Sequence, residues 1–160
     1  MTDAQRRLAI QAYRASISFL DAQVGRVAVP GSTSAGSTAP GVVELVDLYP
    51  TLTDLCGLKP PEYVEGTSLR PAIEDPEHRI KEAAYTQVDR GESQGRSVRT
   101  ERWRYTEWDD GKKGVELYDY EREALEAQNL AADPAQAAEV ARLKVLLDAV
   151  RRREAPKAEK

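Results

Sequence analysis

Cysteine, histidine, methionine and phenylalanine each occur only once among the 160 residues. A single thiol, Cys56, excludes an intrachain disulfide and a cysteine-built zinc site, so it carries no signal of a redox compartment. The lone histidine, His78 in Asp75-Pro76-Glu77-His78-Arg79, sits in a polar loop and reads as a solvated side chain. Apolar runs fall far short of the roughly 20 residues of a membrane span, and no membrane association is expected. The opening stretch MTDAQRRLAIQ lacks the unbroken apolar segment of a signal peptide, so the chain as written is expected in the cytoplasm. An excess of one charge sign is also missing. Lys and Arg number 23 against 27 Asp and Glu, they are interspersed, and no basic stripe suited to nucleic acid results. A mean hydropathy of -0.59 points to a thin core for a single small domain.

What is present divides the chain into five parts. In residues 1–29, Ile10, Tyr13, Ile17, Leu20, Val24 and Val27 recur at spacings of three and four. They define one face of an amphipathic helix of roughly 25 residues, which packs on a core or pairs as a short coiled coil. Residues 30–41 hold only small residues, Gly and Pro, which reads as a flexible linker. Neither this stretch nor Gly91–Ser97 matches a phosphate-binding loop. In residues 42–82 a buried strand, Val42–Val46, is expected to precede a short helix. That helix has Asp47 as N-cap, Pro50 in its first turn, an apolar face of Leu48, Leu52 and Leu55, and a Gly57 stop. Cys56 falls in the last turn with no partner base nearby, as a small buried hydrophobe would.

Residues 83–152 change character. Ala84–Val88, Arg96–Thr100, Arg102–Trp108 and Val115–Tyr120 are short, rich in Tyr, Trp, Val and Thr, and separated by turn residues, predicting a four-stranded antiparallel sheet. Asp109–Gly114 is the clearest hairpin connection and lacks the ligand spacing of a calcium loop. Asp133-Pro134-Ala135-Gln136 starts a helix carrying Val140, Leu143, Leu147 and Val150 on one face, which should cover the sheet. Residues 153–160 form a tail expected to be disordered.

Several stretches together resemble a known family. They are Ala12–Arg26, Val43–Leu52 (VELVDLYPTL), Glu65–Leu69 (EGTSL), Gly95–Thr100, Trp103–Trp108, Glu116–Asp119 and Asn129-Leu130. In this order they resemble the sulfatases, most closely the iduronate-2-sulfatase-like branch. The resemblance implies an α/β fold of the alkaline-phosphatase-like kind, here reduced to α+β: a remnant of the core, then a C-terminal sheet with a helix. It also implies sulfuric ester hydrolysis by a formylglycine made from Cys or Ser in a Cys/Ser-X-Pro-X-Arg motif, with calcium holding the sulfate oxygens. Cys56 is followed by Gly57-Leu58-Lys59, so that motif is absent. The acidic metal ligands are not recognisable, and the join at Arg26–Gly31 reads as an internal deletion. No catalytic or metal-ligating residue is therefore assigned, and no cofactor is expected within this chain.

Arg96, Arg99, Arg102 and Arg104 alternate around a hairpin. They are suited either to a sulfated substrate or to pairing with Glu92, Glu101, Glu107 and Glu116 on a wet sheet face. By the resemblance this hairpin lies beside the substrate pocket, which makes Arg99, and then Arg96, the candidate rim contacts. The functional expectation is a sulfatase C-terminal fragment inactive alone, with a missing catalytic chain or a sulfated glycan as partner. The alternatives are a non-enzymatic binding or assembly module and one half of a split sulfatase.

Overall fold

A computed structural model describes residues 37–122 and 125–154, with side chains as far as residue 150. The expected N-terminal helix, the first part of the linker and the end of the tail lie outside the described residues. The four predicted strands form one antiparallel sheet in the order β1 (Ala84–Arg90), β2 (Ser93–Arg99), β3 (Trp103–Trp108) and β4 (Gly114–Asp119). Short helices α1 (Leu48–Leu55) and α2 (Arg70–Glu74) precede it, and α3 (Ala137–Glu154) follows it, running through Arg153 where the sequence reading begins the tail. The architecture of the described residues is α+β.

Period-two alternation decides which face of the sheet is dry. Tyr105 stands opposite Val98 on one side and Leu117 on the other, so all three point to the same face. There they meet Leu143 and Leu147 of α3, together with Trp103 and Leu130. Both α3 leucines are fully buried. At about 1.5–3 kcal/mol each, their burial rather than helix propensity holds α3 in place. The α3 entrance is as expected: Asp133 Oδ1 accepts from the Ala135 N–H at 2.9 Å, and Pro134 opens a single 3₁₀ turn before the helix. Glu107 departs from expectation. Alternation places it on the dry face, where its carboxylate accepts from the Tyr105 hydroxyl and from Lys144 of α3, each at 2.7 Å.

Asn129-Leu130 closes the edge of β4. The Asn129 amide accepts from the Leu117 N–H at 3.0 Å and donates to the Val115 carbonyl at 3.0 Å, while the Leu130 N–H donates to the Leu117 carbonyl at 2.8 Å. One side chain thus substitutes for a fifth strand and leaves no bare edge along that stretch.

The expected strand Val42–Val46 does not form. Residues 42–44 are irregular and Leu45–Asp47 is one 3₁₀ turn leading straight into α1, with Val43, Leu45 and Val46 exposed. A strand needs a neighbour for its backbone groups, and no described strand lies beside this one. The apolar face predicted for α1 holds only in part: Pro50 and Thr51 are its buried residues, Leu48 and Leu55 are part-buried, Leu52 is half exposed, and Cys56 lies at the surface.

A polar lock holds this segment instead. Glu44 and Asp47 form a reciprocal cap, and the Asp47 carboxylate, fully buried, accepts from the Glu44 N–H at 2.8 Å and the Thr67 N–H at 2.9 Å. Lys81 then donates to both Asp47 oxygens, at 2.8 and 2.7 Å, and to Glu44 at 2.7 Å. The other Glu44 oxygen accepts from the Tyr85 N–H at 2.7 Å, which ties the lock to β1. Thr51 completes it, donating to the Asp47 carbonyl and accepting from the Leu69 N–H at 2.8 Å. Asp47 therefore does not cap α1 with its side chain, because that carboxylate is committed elsewhere. Gly66 must be glycine, since a Cβ there would stand 2.1 Å from the Val46 carbonyl oxygen.

Two expectations test the lock. Lys81→Met strands the Asp47 charge in a dry site and should cost about 3–5 kcal/mol in urea unfolding, with loss of protection at the Thr67 and Leu69 amides. Burial works against the Lys81 charge, but its hydrogen bonds to Asp47 and Glu44 prevail and raise its pKa above the ordinary 10.5. A raised folded-state pKa means that this contribution is complete below about pH 10.5 and fades as pH rises through the higher folded value. The wild type should lose stability across that alkaline window in urea titrations, and Lys81→Met should lack this component.

Candidate functional site

The second face of the sheet carries Arg99 and Arg104. The β2–β3 turn is tight, with the Thr100 N–H donating to the Trp103 carbonyl at 2.8 Å and the Trp103 N–H donating to the Thr100 hydroxyl at 2.9 Å. That turn sets a register in which Arg99 stands directly opposite Arg104. Alternation then separates the two candidate rim residues: Arg99 shares a face with Arg104, whereas Arg96 pairs with Glu107 on the face that α3 covers. The strand brings Arg96 and Arg99 to opposite sides.

Three of the four arginines have carboxylate partners, though none of those expected. Arg96 donates to Asp110 at 2.8 Å. Arg102 grips buried Asp119 with two bonds of 3.0 and 2.7 Å, and lies over the Trp103 ring. The hydrogen bonds from Arg102, strongest among the causes, hold the Asp119 carboxyl below the usual carboxylate range. Arg104 reaches Glu126 at 2.5 Å, yet its Nε is buried with no hydrogen-bond partner. Arg99 differs: its guanidinium lies 3.2 Å from the centre of the Tyr120 ring, and no ion pair to it is found among the described residues. The expected glutamate partners go elsewhere, Glu101 to Arg79, Glu107 to Lys144 and Glu116 to the Trp108 indole.

Tyr120 and Glu126 are the residues that sequence reasoning missed. The Tyr120 hydroxyl donates to Glu126, whose other oxygen takes Arg104, so Arg99, Tyr120, Glu126 and Arg104 form one chain of contacts. Burial first, and then the bond to the Glu126 carboxylate, pushes the Tyr120 phenol up from its ordinary value. Glu126 achieves this from a left-handed backbone, with φ of 55°, which disfavours a side chain of its size. Nothing in its sequence neighbourhood marks that conformation. The sequence placed these arginines on one hairpin, and the tight turn at residues 100–103 is what pairs 99 with 104.

No described residues form a set suited to calcium. Asp109 accepts from the Gln94 N–H and from Lys113, both at 2.8 Å, and Asp110 is taken by Arg96, so the hairpin carboxylates are already neutralised. The Lys113 bond, and then the Gln94 amide, hold the Asp109 carboxyl below its usual range. Among the described residues, no group of three or more His, Cys, Asp or Glu side chains could hold a metal ion. Cys56 and His78 are both exposed and belong to no such cluster. No described helix is long and apolar enough to cross a membrane.

Residues 25–153 match the family model described as N-sulphoglucosamine sulphohydrolase, C-terminal. The chain belongs to the sulfatase family, as its C-terminal region. It is similar to a Delta 4,5-hexuronate-2-O-sulfatase of Bacteroides thetaiotaomicron, 33% identical over 108 residues covering 64% of this chain and 22% of the relative. It is also similar to arylsulfatase K of Homo sapiens, 30% identical over 132 residues covering 76% of this chain and 24% of the relative. Among solved structures, a 2-O GAG sulfatase superposes with a TM-score of 0.59 at 35% identity, covering 67% of this chain and 24% of that one. The chain thus spans about a quarter of the length of these sulfatases. The strands, α3 as far as Arg153, and the lock that organises VELVDLYPTL and EGTSL lie within the matched range.

Glu126 is predicted to be the neutralising element of this sulfatase region's arginine face. Glu126→Gln should cost about 1–2 kcal/mol in urea unfolding, because Arg104 loses its charge-assisted bond and faces Arg99 unshielded. Raising the salt to about 1 M should recover part of the loss by screening that repulsion.

Proposed function

We propose that this chain is the C-terminal region of a sulfuric ester hydrolase acting on sulfated hexuronates, and that it supplies scaffold and substrate rim rather than chemistry. In this reading the formylglycine and the calcium ligands come from a catalytic region outside the residues matched here, carried either on the same polypeptide or on a separate chain. The observation that carries it is the surface of the locked segment. Leu45, Val46, Tyr49 and Leu52 are 61%, 50%, 53% and 48% exposed on one short stretch, whereas the sheet module buries its apolar face under its own helix. An apolar surface of this kind, held rigid by a buried ion pair, is built to be covered. In relatives about four times as long, a catalytic α/β region is the natural cover. Identity to the hexuronate-2-O-sulfatase and the 2-O GAG sulfatase supports the substrate class. The position of Arg99 on the face that α3 does not cover supports its role as the rim contact, with Arg96 relegated to a structural pair beside the 109–113 turn.

A second reading draws on the same arginine face: a binding module that holds a sulfated glycan without hydrolysing it. The two are separated by assay. The purified chain is expected to show no turnover of an aryl sulfate with or without calcium, while the genomic sequence around its coding region should carry a Cys/Ser-X-Pro-X-Arg motif in a sulfatase reading frame. Turnover by the pure chain, abolished by EDTA, would overturn the scaffold proposal. Absence of any such motif in the genome neighbourhood would favour the binding module.

A further inference from the structure

We infer that Arg99, laid on Tyr120 and backed by Glu126 and Arg104, is a built binding site for one oxyanion of a sugar, a carboxylate or a sulfate. The first argument is the cost of the arrangement. Register places Arg99 directly opposite Arg104, and like charges facing one another across a strand pair destabilise it. On this face Glu126 is occupied by Arg104 and the Tyr120 hydroxyl, and Glu116 by the Trp108 indole. Among the described residues no carboxylate pairs with Arg99, whose charge is left over. A purely structural face would gain by replacing one arginine with a neutral residue, whereas an anion placed here neutralises the excess.

The second argument is geometry. Arg96 and Arg104 each turn one terminal nitrogen into a carboxylate, and Arg102 grips Asp119 with two, so each of these charges has a carboxylate partner. Arg99 instead has one flat face against the Tyr120 ring at 3.2 Å from its centre. Stacking occupies the face of a guanidinium, not its edge, and the N–H donors lie in the plane. The contact therefore orients the fork and removes much of its rotational freedom while leaving in-plane donors for a ligand. Two parallel donors match the paired oxygens of a carboxylate or a sulfate, which a lysine cannot reproduce.

The third argument is that the platform is itself fixed. Tyr120 is held through its hydroxyl by Glu126, and Glu126 keeps a left-handed backbone that an ordinary loop would relax. Tyr120, Glu126 and Arg104 are thus positioning residues, and Arg99 is the contact. The oxyanion site stands on these contacts alone. Its assignment to a sugar rests on the sulfated-hexuronate reading above.

The test is a titration of the isotope-labelled full chain with glucuronate, with glucose 6-sulfate and with uncharged glucose at low salt, following the Arg99 Nε–H and Tyr120 ring resonances. One or both charged sugars should shift these signals saturably, and glucose should not. Arg99→Ala should weaken binding roughly tenfold to a hundredfold, the value of a charge-assisted bidentate contact. Arg99→Lys retains the charge and should recover only a minor part. Tyr120→Phe retains the stacked ring but loses its tether, and should weaken binding a few-fold. No saturable shift with either charged sugar in the wild type overturns the proposal. So does unchanged affinity in Arg99→Ala, or full recovery in Arg99→Lys, with the native fold verified by circular dichroism. Failure here alongside an inactive chain in the aryl sulfate assay leaves the scaffold reading in place. Turnover by the chain with Arg99 binding intact overturns only the scaffold reading.

Discussion

The buried carboxylate of Asp47 is the constraint on which the first half of the described structure depends. A charge taken out of water must be neutralised and its lone pairs filled, and here three donor groups do so: the N–H of nearby Glu44, and from distant parts of the chain the N–H of Thr67 and the ammonium of Lys81, which is shared with Glu44. A stretch that otherwise buries little apolar surface is thereby held against β1 through the Glu44 bond to the Tyr85 N–H. Because the organising force is polar, the apolar side chains of the same stretch remain outside and available to another surface. An apolar anchor would have consumed them.

The sheet follows the opposite logic. Its dry face is closed by α3 through Leu143 and Leu147, and the β4 edge is closed by Asn129-Leu130, so the module is self-contained on that side. The face that α3 does not cover bears two opposed arginines and a tyrosine platform. Supporting structure and functional surface are thus segregated by the pleat itself: residues of one parity build the core, and residues of the other parity present charge. Arg96 and Arg99 illustrate the consequence. Three positions apart, they look like members of one cluster in the sequence, yet they belong to different faces.

Much of the sheet was legible because its signals are local. Alternating Tyr, Trp, Val and Thr mark the strands, the Asp109–Gly114 turn adopts the left-handed conformations that Asp and Gly tolerate, and Asp133-Pro134 starts α3 as its cap chemistry requires. The strand assigned to Val42–Val46 failed for a reason no local window contains. An apolar run becomes a strand only beside another strand, and in its absence the Glu44–Asp47 cap and Lys81 captured the segment as a turn. Within α1 only Leu52 departs from the expected apolar face, since Thr51, committed to the Asp47 carbonyl and the Leu69 N–H, is the residue buried between Leu48 and Leu55.

The sequence alone determined that this is a C-terminal region of a sulfatase, because family motifs record the residues that a fold needs in a given order. It also determined which arginines exist to be used. Only the tertiary structure decided why VELVDLYPTL and EGTSL belong together, which arginine keeps its donors unpaired by any described carboxylate, and what holds it there. Those outcomes depend on contacts across 20 or more positions, such as Asp47 with Thr67 and Lys81, and on the left-handed backbone of Glu126. Composition and periodicity report what a residue prefers among its neighbours in sequence. A buried charge is satisfied by whatever the fold brings to it.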